Sequence, residues 1–401
     1  MATTKVRGEL VDLNESTSES GLKIPTGTEF NRPATGVAGM IRNNTNESSD
    51  NSASCEEYYN GTAWKKINNV ALPVYFRTVT YTGNGGTQAI TGVGFQPDFV
   101  WIKGRTLTVA HGAYDSTRGA TKYLSPSETL AEGTYSTVLN AFGADGFTVG
   151  SNSGVNSNGQ DYVAWCWKAN GGTTSSNTDG SITSTVQANS DAGFSIISWT
   201  GTGSNGTIGT GLSTAADLII TKARGTVSPG VSEAWPVFHS SLVNNNIMYL
   251  DQPYGATSGN KTSVYQDPTT TSTTFGVETW RGINQNGVDM SGWCFHSVNG
   301  FSKFGSYTGN GTAGQAITTV GFEPTWVLIK STVGTSNWLL YDTTRGITSG
   351  GFLNPDNSDP ETADSLSPNI TVTATGFTIT SGGVTQGLNS NGNLYIYAAF
   401  K

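Results

Sequence analysis

The charged residues that recur at a fixed spacing are an Asp-x-x-Arg pair that occurs twice. Asp115 and Arg118 lie in YDSTRG, and Asp342 and Arg345 lie in YDTTRG near the C-terminus. On an exposed loop such a pair could bind a polar ligand. A turn is the alternative, because the carboxylate can accept backbone N–H groups and the guanidinium of its own loop. The middle of the chain has His239 and two serines at the matching place, so we favour the structural turn.

The other ionisable residues do not form a recognisable catalytic or metal-binding pattern. Three lysines end equivalent strands, and we predict that they are strand-end charges that discourage aggregation: Lys103, Lys222 and Lys330. Three histidines lack partners at zinc-ligand spacing: His111, His239 and His296. GxSxG, P-loop and HExxH motifs are missing from the sequence. We therefore predict a protein that is not an enzyme and needs no cofactor, and we leave open a calcium ion near Asp179, where a closing Glu is lacking.

The motifs around the Asp-x-x-Arg pairs show that the chain is built from three copies of one unit. YTGNG, VGFQPDFVWIK and YDSTRG recur near the C-terminus as YTGNG, VGFEPTWVLIK and YDTTRG, and a weaker copy with WTGTG and ADLIITK lies between them. Each copy closes with an Asn-x-Asn-Gly turn and an aromatic strand. Cys166 and Cys294 occupy the same place in two copies, so we predict small buried core residues. Repetition at about 100 residues indicates three tandem domains.

Composition points to an all-β protein and argues against two classes of partner. Charged residues make up 12% of the chain and there are 52 glycines, which is typical of turn-rich β structure. Short aromatic and β-branched runs predict strands, and no long segment has a helical period. The net charge of −8 disfavours nucleic acid as a partner, and no apolar run is long enough for membrane insertion.

The predicted fold class is all-β, with a small N-terminal β-motif followed by three tandem antiparallel β-sandwich repeats of jelly-roll or lectin-like kind. The expected divisions are a partner-ordered arm, a docking or oligomerisation module, three sandwiches and one linker. They span residues 1–20 (arm), 21–70 (module), 71–170 (repeat one), 171–192 (linker), 193–300 (repeat two) and 301–401 (repeat three). The module has too few apolar anchors for a core of its own, so we expect other copies or a docking partner to complete it.

The N-terminal module resembles the small β-motif found near the ends of bacteriophage tail fibres, which interlocks as a trimer in that family. The residues that carry the resemblance and are the candidates for oligomerisation or docking are Pro25, Arg32, Pro33, Ile41, Arg42, Tyr59 and Trp64. The three later repeats are similar to a domain of tail-fibre and structural proteins of marine and cyanobacterial phages. The resemblance implies a virion structural protein assembled in the host cytoplasm, more often on the tail than on the capsid.

The resulting prediction is a homotrimeric tail fibre or tail-associated appendage that is attached to other virion proteins by its N-terminal region. A capsid decoration or head fibre is the alternative, and a polysaccharide-degrading tailspike is a third and weaker one because it needs paired carboxylates in a cleft. Exposed aromatic rings stack on sugars, so a host-surface glycan is a possible partner. The candidates lie in polar, loop-like contexts: Trp235, Tyr254, Tyr265, Trp280 and Trp338.

Overall fold

The computed structural model describes residues 26–27, 40–44, 55–59, 61–66, 74–228, 233–242, 246–256, 264–266, 270–346, 351–363, 370–380 and 387–401. The chain divides into two compact units, Met1–Pro73 and Val74–Lys401. The predicted all-β class is confirmed, because the described residues form strands in antiparallel sheets and only two helices, each of four residues. None of these helices is long and apolar enough to cross a membrane.

The first unit contains one small four-stranded sheet. Its strands, in sheet order, are β1 Thr26–Gly27, β2 Ile41–Asn44, β3 Cys55–Tyr59 and β4 Trp64–Lys66. The rings of Tyr59 and Trp64 meet edge to face at 5.5 Å. Ile41 is 47% exposed, so this sheet leaves an apolar side chain in contact with solvent. Among the predicted docking residues, Arg42 lies in β2, whereas Pro25, Arg32 and Pro33 fall outside the described residues.

The second unit begins with the first copy, residues 74–170. Its elements are β5 Phe76–Thr82, β6 Gln88–Ile90, β7 Phe99–Gly104, β8 Gly112–Asp115, β9 Lys122–Tyr123, β10 Gly133–Thr134, β11 Leu139–Gly143, β12 Gly146–Val149, α1 Ser153–Asn156 and β13 Asp161–Trp167. The larger sheet has the order β5-β13-β7-β8 and the smaller has β11-β12-β6. The core of this copy lies between them, in a sandwich-like arrangement.

The second copy spans residues 171–300. Its elements are β14 Ser175–Asn177, β15 Ser184–Asn189, β16 Phe194–Thr200, β17 Gly206–Gly209, β18 Leu218–Ala223, β19 Pro236–His239, β20 Met248–Tyr249, β21 Thr274–Val277, α2 Arg281–Asn284 and β22 Asp289–Phe295. The larger sheet has the order β14-β15-β16-β22-β18-β19-β20. The segment 171–192, which we predicted as a linker, therefore supplies two strands to this sheet. The SITSTVQ run had suggested a strand within the linker, and β15 overlaps that run and pairs with both β14 and β16.

The third copy spans residues 301–401. Its elements are β23 Ser302–Thr308, β24 Gln315–Ile317, β25 Trp326–Ser331, β26 Leu339–Asp342, β27 Gly351–Phe352, β28 Thr362–Ala363, β29 Ile370–Thr373, β30 Gly376–Ile379 and β31 Leu394–Phe400. Its larger sheet has the order β23-β31-β25-β26. All three copies thus contain the same four-strand arrangement, in which the last strand of the copy lies in the second place: β5-β13-β7-β8, β16-β22-β18-β19 and β23-β31-β25-β26.

The repeated Asn-x-Asn-Gly motif braces the repeated YTGNG turn within each copy. In the first copy the buried Asn156 accepts the backbone N–H of Asn84 at 2.8 Å and donates to Gly86 and Gly150 carbonyls at 2.6 and 2.9 Å. A Cβ on Gly83 would lie 2.3 Å from the carbonyl oxygen of Ser157, so only glycine allows the two turns to approach this closely.

The larger sheets are buried on both faces. In β7, Val100 and Ile102 face the core of the first copy, whereas Phe99 and Trp101 face a second core that residues of all three copies share. The alternation follows from the two-residue period of a strand. A continuous apolar run such as FVWI is therefore required in β7, because both faces of this strand are buried.

The shared core closes the three copies into a ring. Trp167, Phe295 and Phe400 end the equivalent strands β13, β22 and β31. Their ring centroids are 6.4 Å apart for Trp167 and Phe295, 5.7 Å for Trp167 and Phe400, and 5.9 Å for Phe295 and Phe400. Three equivalent aromatic residues in mutual contact define an approximate threefold axis within a single chain.

Candidate functional site: the junctions of the ring and the cavity of the third copy

The first Asp-x-x-Arg pair joins the first copy to the second. The Arg118 guanidinium donates to Asp115 at 2.6 Å and to Glu132 at 3.0 Å. It also lies over the ring of Trp293 from the second copy, 5.8 Å from the centroid. Glu132 accepts a further bond from Arg224 of the second copy at 2.9 Å, and these arginines hold the pKa of Glu132 below its ordinary value against the opposing effect of burial. The pair therefore stabilises the junction between the two copies and is not an exposed binding group.

The second Asp-x-x-Arg pair joins the third copy to the first in the same way. Arg345 donates to Asp342 and Glu361, and its guanidinium lies 5.7 Å from the ring centroid of Trp165. The indole N–H of Trp165 donates to Asp342 at 3.0 Å. Glu361 also pairs with Arg105 of the first copy at 2.6 Å. Both arginines are almost completely buried, so the two junctions exclude solvent from their ion pairs.

Among the residues that the structure describes, the junction between the second and third copies has no such ion pairs, and both copies depart from the pattern there. His239 replaces the aspartate of the turn, and Ala398 of the third copy replaces the tryptophan on which an arginine would stack. His239 donates from Nε2 to the Tyr397 carbonyl at 3.2 Å and accepts the Ser241 N–H at Nδ1. Burial lowers the pKa of His239 to about 4, so the ring is neutral near pH 7.

The three strand-end lysines are buried, which corrects our prediction that they are exposed edge charges. Each ammonium group donates to a backbone carbonyl of the neighbouring copy: Lys103 to Ser358 at 3.3 Å, Lys222 to Thr129 at 2.7 Å and Lys330 to Pro253 at 2.7 Å. Burial lowers the pKa of Lys103 and of Lys222 to about 8. The lysines run in one rotational sense around the ring, as a heterologous interface that closes must do.

A second set of equivalent residues makes the same cyclic contact. In each copy a ring nitrogen forms a hydrogen bond with a backbone carbonyl: His111 with Asn354 at 3.0 Å, Trp235 with Glu128 at 3.0 Å and Trp338 with Tyr249 at 2.9 Å. In every case the acceptor belongs to the preceding copy around the ring. Trp235 and Trp338 are therefore buried anchors, 1% and 2% exposed.

The three other residues predicted to contact glycan divide between the interior and the surface. Tyr265 is completely buried and its hydroxyl lies 3.1 Å from that of Thr221, so it cannot stack on a sugar. Trp280 is half-buried against Tyr249, with 6.2 Å between ring centroids. Tyr254 is 60% exposed and is the candidate that presents its ring to solvent. The polar sequence neighbours of these residues suggested exposed loops, but Trp235 and Trp338 lie in the core shared by the copies and Tyr265 lies in the core of the second copy.

The third copy contains a cavity of about 610 Å³ that is lined by both polar and apolar residues. Its lining includes Ser331, Thr335, Asn337 and Asn393, with Tyr395 among its apolar residues. Tyr254 forms an isolated β-bridge with Thr335 and so stands at the edge of the cavity. Sequence reasoning identified Tyr254 but missed the cavity, since its described lining comes from segments of the third copy that lie far apart in the sequence, between Ser331 and Tyr395.

Two smaller expectations have clear outcomes. Cys166 and Cys294 are fully buried, as predicted, and burial raises the pKa of both thiols, so they remain protonated. Asp179 lies on an exposed turn, where it pairs with Asn177 through a backbone and a side-chain bond of 3.0 Å each. Within the described ranges, no three His, Cys, Asp or Glu side chains form a group that could hold a metal ion.

The fold and junctions define a class of protein, an all-β chain in which residues 74–401 form several sheets around one shared apolar core. Residues 73–401 match the family described as a domain of unknown function (DUF7483), and the chain belongs to that family. The matched residues agree to within one residue with the compact unit Val74–Lys401, so the family model spans all three copies rather than a single one. No curated protein and no solved structure matches the chain.

Proposed function

We propose that this chain is a non-enzymatic structural protein of a bacteriophage particle, a homotrimeric tail fibre or tail-associated appendage. In this proposal residues 1–73 assemble the protein and attach it to other virion proteins. The ring of residues 74–401 projects from the attachment point and contacts the host surface. The resemblance of both parts to tail-fibre motifs suggests the proposal.

The proposal rests on the location of the recurring charged residues, which are buried between the copies. Catalysis by acid, base or nucleophile requires ionisable groups that can reach a substrate. Here the lysines and the Asp-x-x-Arg pairs are buried between copies and hold backbone carbonyls or one another. Such a design favours a rigid body over a catalytic cleft.

The first unit supports an assembly role for the N-terminal region. Its described strands are two to five residues long and form one small sheet, on which Ile41 is half exposed. A single short sheet buries too little apolar surface to be stable alone. Association of three chains would cover Ile41 and supply the missing core.

Immunogold labelling of purified particles tests the location. Antibodies against the ring should label the tail of the virus that encodes this chain. Labelling of the capsid would instead favour a decoration protein, an alternative that the threefold character of the ring also suits because capsids offer threefold sites. Unlabelled particles would contradict both forms of the proposal.

A host-clearing assay separates these structural roles from the tailspike alternative. Purified full-length protein should leave capsule and lipopolysaccharide intact in gel analysis. Shortening of the polysaccharide chains would require paired carboxylates in a cleft and would contradict a non-enzymatic role.

A further inference from the structure

The cavity of the third copy has free hydrogen-bonding groups on its walls. The side chains of Thr335, Asn337 and Asn393 line it, and none of them bonds another residue that the structure describes. Side-chain amides and hydroxyls can each donate and accept hydrogen bonds. These groups are therefore available to a ligand that carries many hydroxyls.

The described lining contains no Asp, Glu, Lys, Arg or His side chain. Lys330 lies nearby, but its ammonium group is already held by the carbonyls of Pro253 and Ser336. An ionic ligand would thus be desolvated in the cavity without a counter-charge, which is costly. A neutral polyhydroxylated ligand avoids that cost. The volume of about 610 Å³ lies within the range of roughly 300–1,000 Å³ typical of small-molecule sites.

Tyr254 adds an exposed aromatic surface at the edge of the cavity, and the backbone fixes its place. Gly255 donates to the Gly334 carbonyl at 2.7 Å, and Ala256 donates to the Thr332 carbonyl at 2.9 Å. A Cβ on Gly255 would lie 2.8 Å from the Thr332 carbonyl oxygen, so this close approach depends on glycine. The second copy thereby holds the backbone of Tyr254 beside Thr335, which lines the cavity of the third copy.

The first copy provides a natural contrast at the equivalent place. Gly104 corresponds to Ser331, and a Cβ there would meet the side chains of Leu107 and Val109 at 2.5 and 2.7 Å. Gln160, which corresponds to Asn393, accepts a hydrogen bond from Thr106 at 3.0 Å. In the first copy, the side chains of Leu107 and Val109 fill the space beside Gly104, and Gln160 is bonded by Thr106. In the third copy, the equivalent residues Ser331 and Asn393 line the cavity.

We propose that the cavity of the third copy, together with Tyr254, binds a neutral saccharide. The polar walls bond its hydroxyls, and the Tyr254 ring stacks on its apolar face. The biological meaning of this site rests on the proposed function, because a glycan receptor is what a host-contacting appendage would recognise. The proposed site lies at the junction between the second and third copies, where the described residues form no Asp-x-x-Arg ion pair.

Saturation-transfer NMR on the full chain tests the proposal with glucose, galactose, mannose and N-acetylglucosamine as probes. At least one should receive saturation, and Tyr254→Ala should weaken its binding about tenfold through loss of the stacked ring. Tyr254→Phe should retain most binding. Leu130→Ala is the matched control, because Leu130 occupies the equivalent place in the first copy and is 54% exposed.

Two outcomes would overturn the proposal: no saturation of any of the four sugars, or binding that is unchanged in Tyr254→Ala. Binding of N-acetylneuraminic acid in preference to all four neutral sugars would contradict the neutral character of the site. Neither failure bears on where the protein sits on the particle, which immunogold labelling decides separately. Conversely, sugar binding would stand even if the particles were unlabelled.

Discussion

Removal of the Phe400 ring should destabilise all three copies together. Phe400 ends β31, is 2% exposed, and contacts the two equivalent aromatics Trp167 and Phe295. Burial of a phenylalanine in a packed core and the cavity left by its removal together account for about 3–5 kcal/mol. We expect Phe400→Ala to lower the free energy of unfolding of the ring by that amount, in a single urea transition.

Native-state hydrogen exchange read by mass spectrometry distinguishes a ring from three independent domains. In a ring, amides of β7 in the first copy and β18 in the second should lose protection in Phe400→Ala to the same extent as those of β25 in the third. Phe377→Ala is the comparison, because Phe377 lies in the core of the third copy alone. If Phe400→Ala removed protection only from the third copy and produced two urea transitions, the shared core would be refuted.

Three further substitutions test the junctions. Glu132→Gln should lower the free energy of unfolding in urea by about 3 kcal/mol, because it leaves Arg118 and Arg224 at the junction short of a counter-charge. Glu128→Gln is the control, because Glu128 takes part in no described ion pair, and it should change the free energy of unfolding little. Equal effects of the two substitutions would contradict the role of Glu132. The pKa of Lys222 is lowered to about 8 in the folded chain, so Lys222 loses its proton at a lower pH in the folded chain than in the unfolded chain. The free energy of unfolding should therefore rise by about 2–3 kcal/mol between pH 8 and pH 10, and Lys222→Met should flatten that rise. His239, with a pKa of about 4, stays neutral in the folded chain while the unfolded chain takes up a proton. Stability should therefore fall between pH 6.5 and pH 4, and His239→Gln should recover about 3 kcal/mol at pH 4; an unchanged pH profile in either variant would contradict these assignments.

The sequence was sufficient to predict the elements of one copy because their signals are local. Strand alternation in FVWIK, the glycine turns and the small buried cysteines all follow from side-chain size and backbone freedom within a few residues. The Asp-x-x-Arg turn could be inferred in the same way, since Arg118 bonds a carboxylate only three residues away.

The ring could not be predicted, because its evidence is distributed among copies. Phe99 and Val100 are both buried, but no local pattern indicates that one of them faces residues of other copies. In the sequence, the second copy lacks the arginine and the third copy lacks the tryptophan, and these two departures look unrelated. In the structure, both positions lie at the same junction. For the same reason Trp235 and Trp338 resembled surface aromatics, although each donates to the backbone of a neighbouring copy.

The mass in solution of the full chain and of residues 74–401 tests the central claim most directly. If the ring satisfies its own apolar faces within one chain and residues 1–73 bring chains together, the full chain should form a trimer of about 126 kDa, three times 42.0 kDa. Residues 74–401 alone should be monomeric and folded. A trimer of residues 74–401, or a monomeric full chain, would contradict this division of roles.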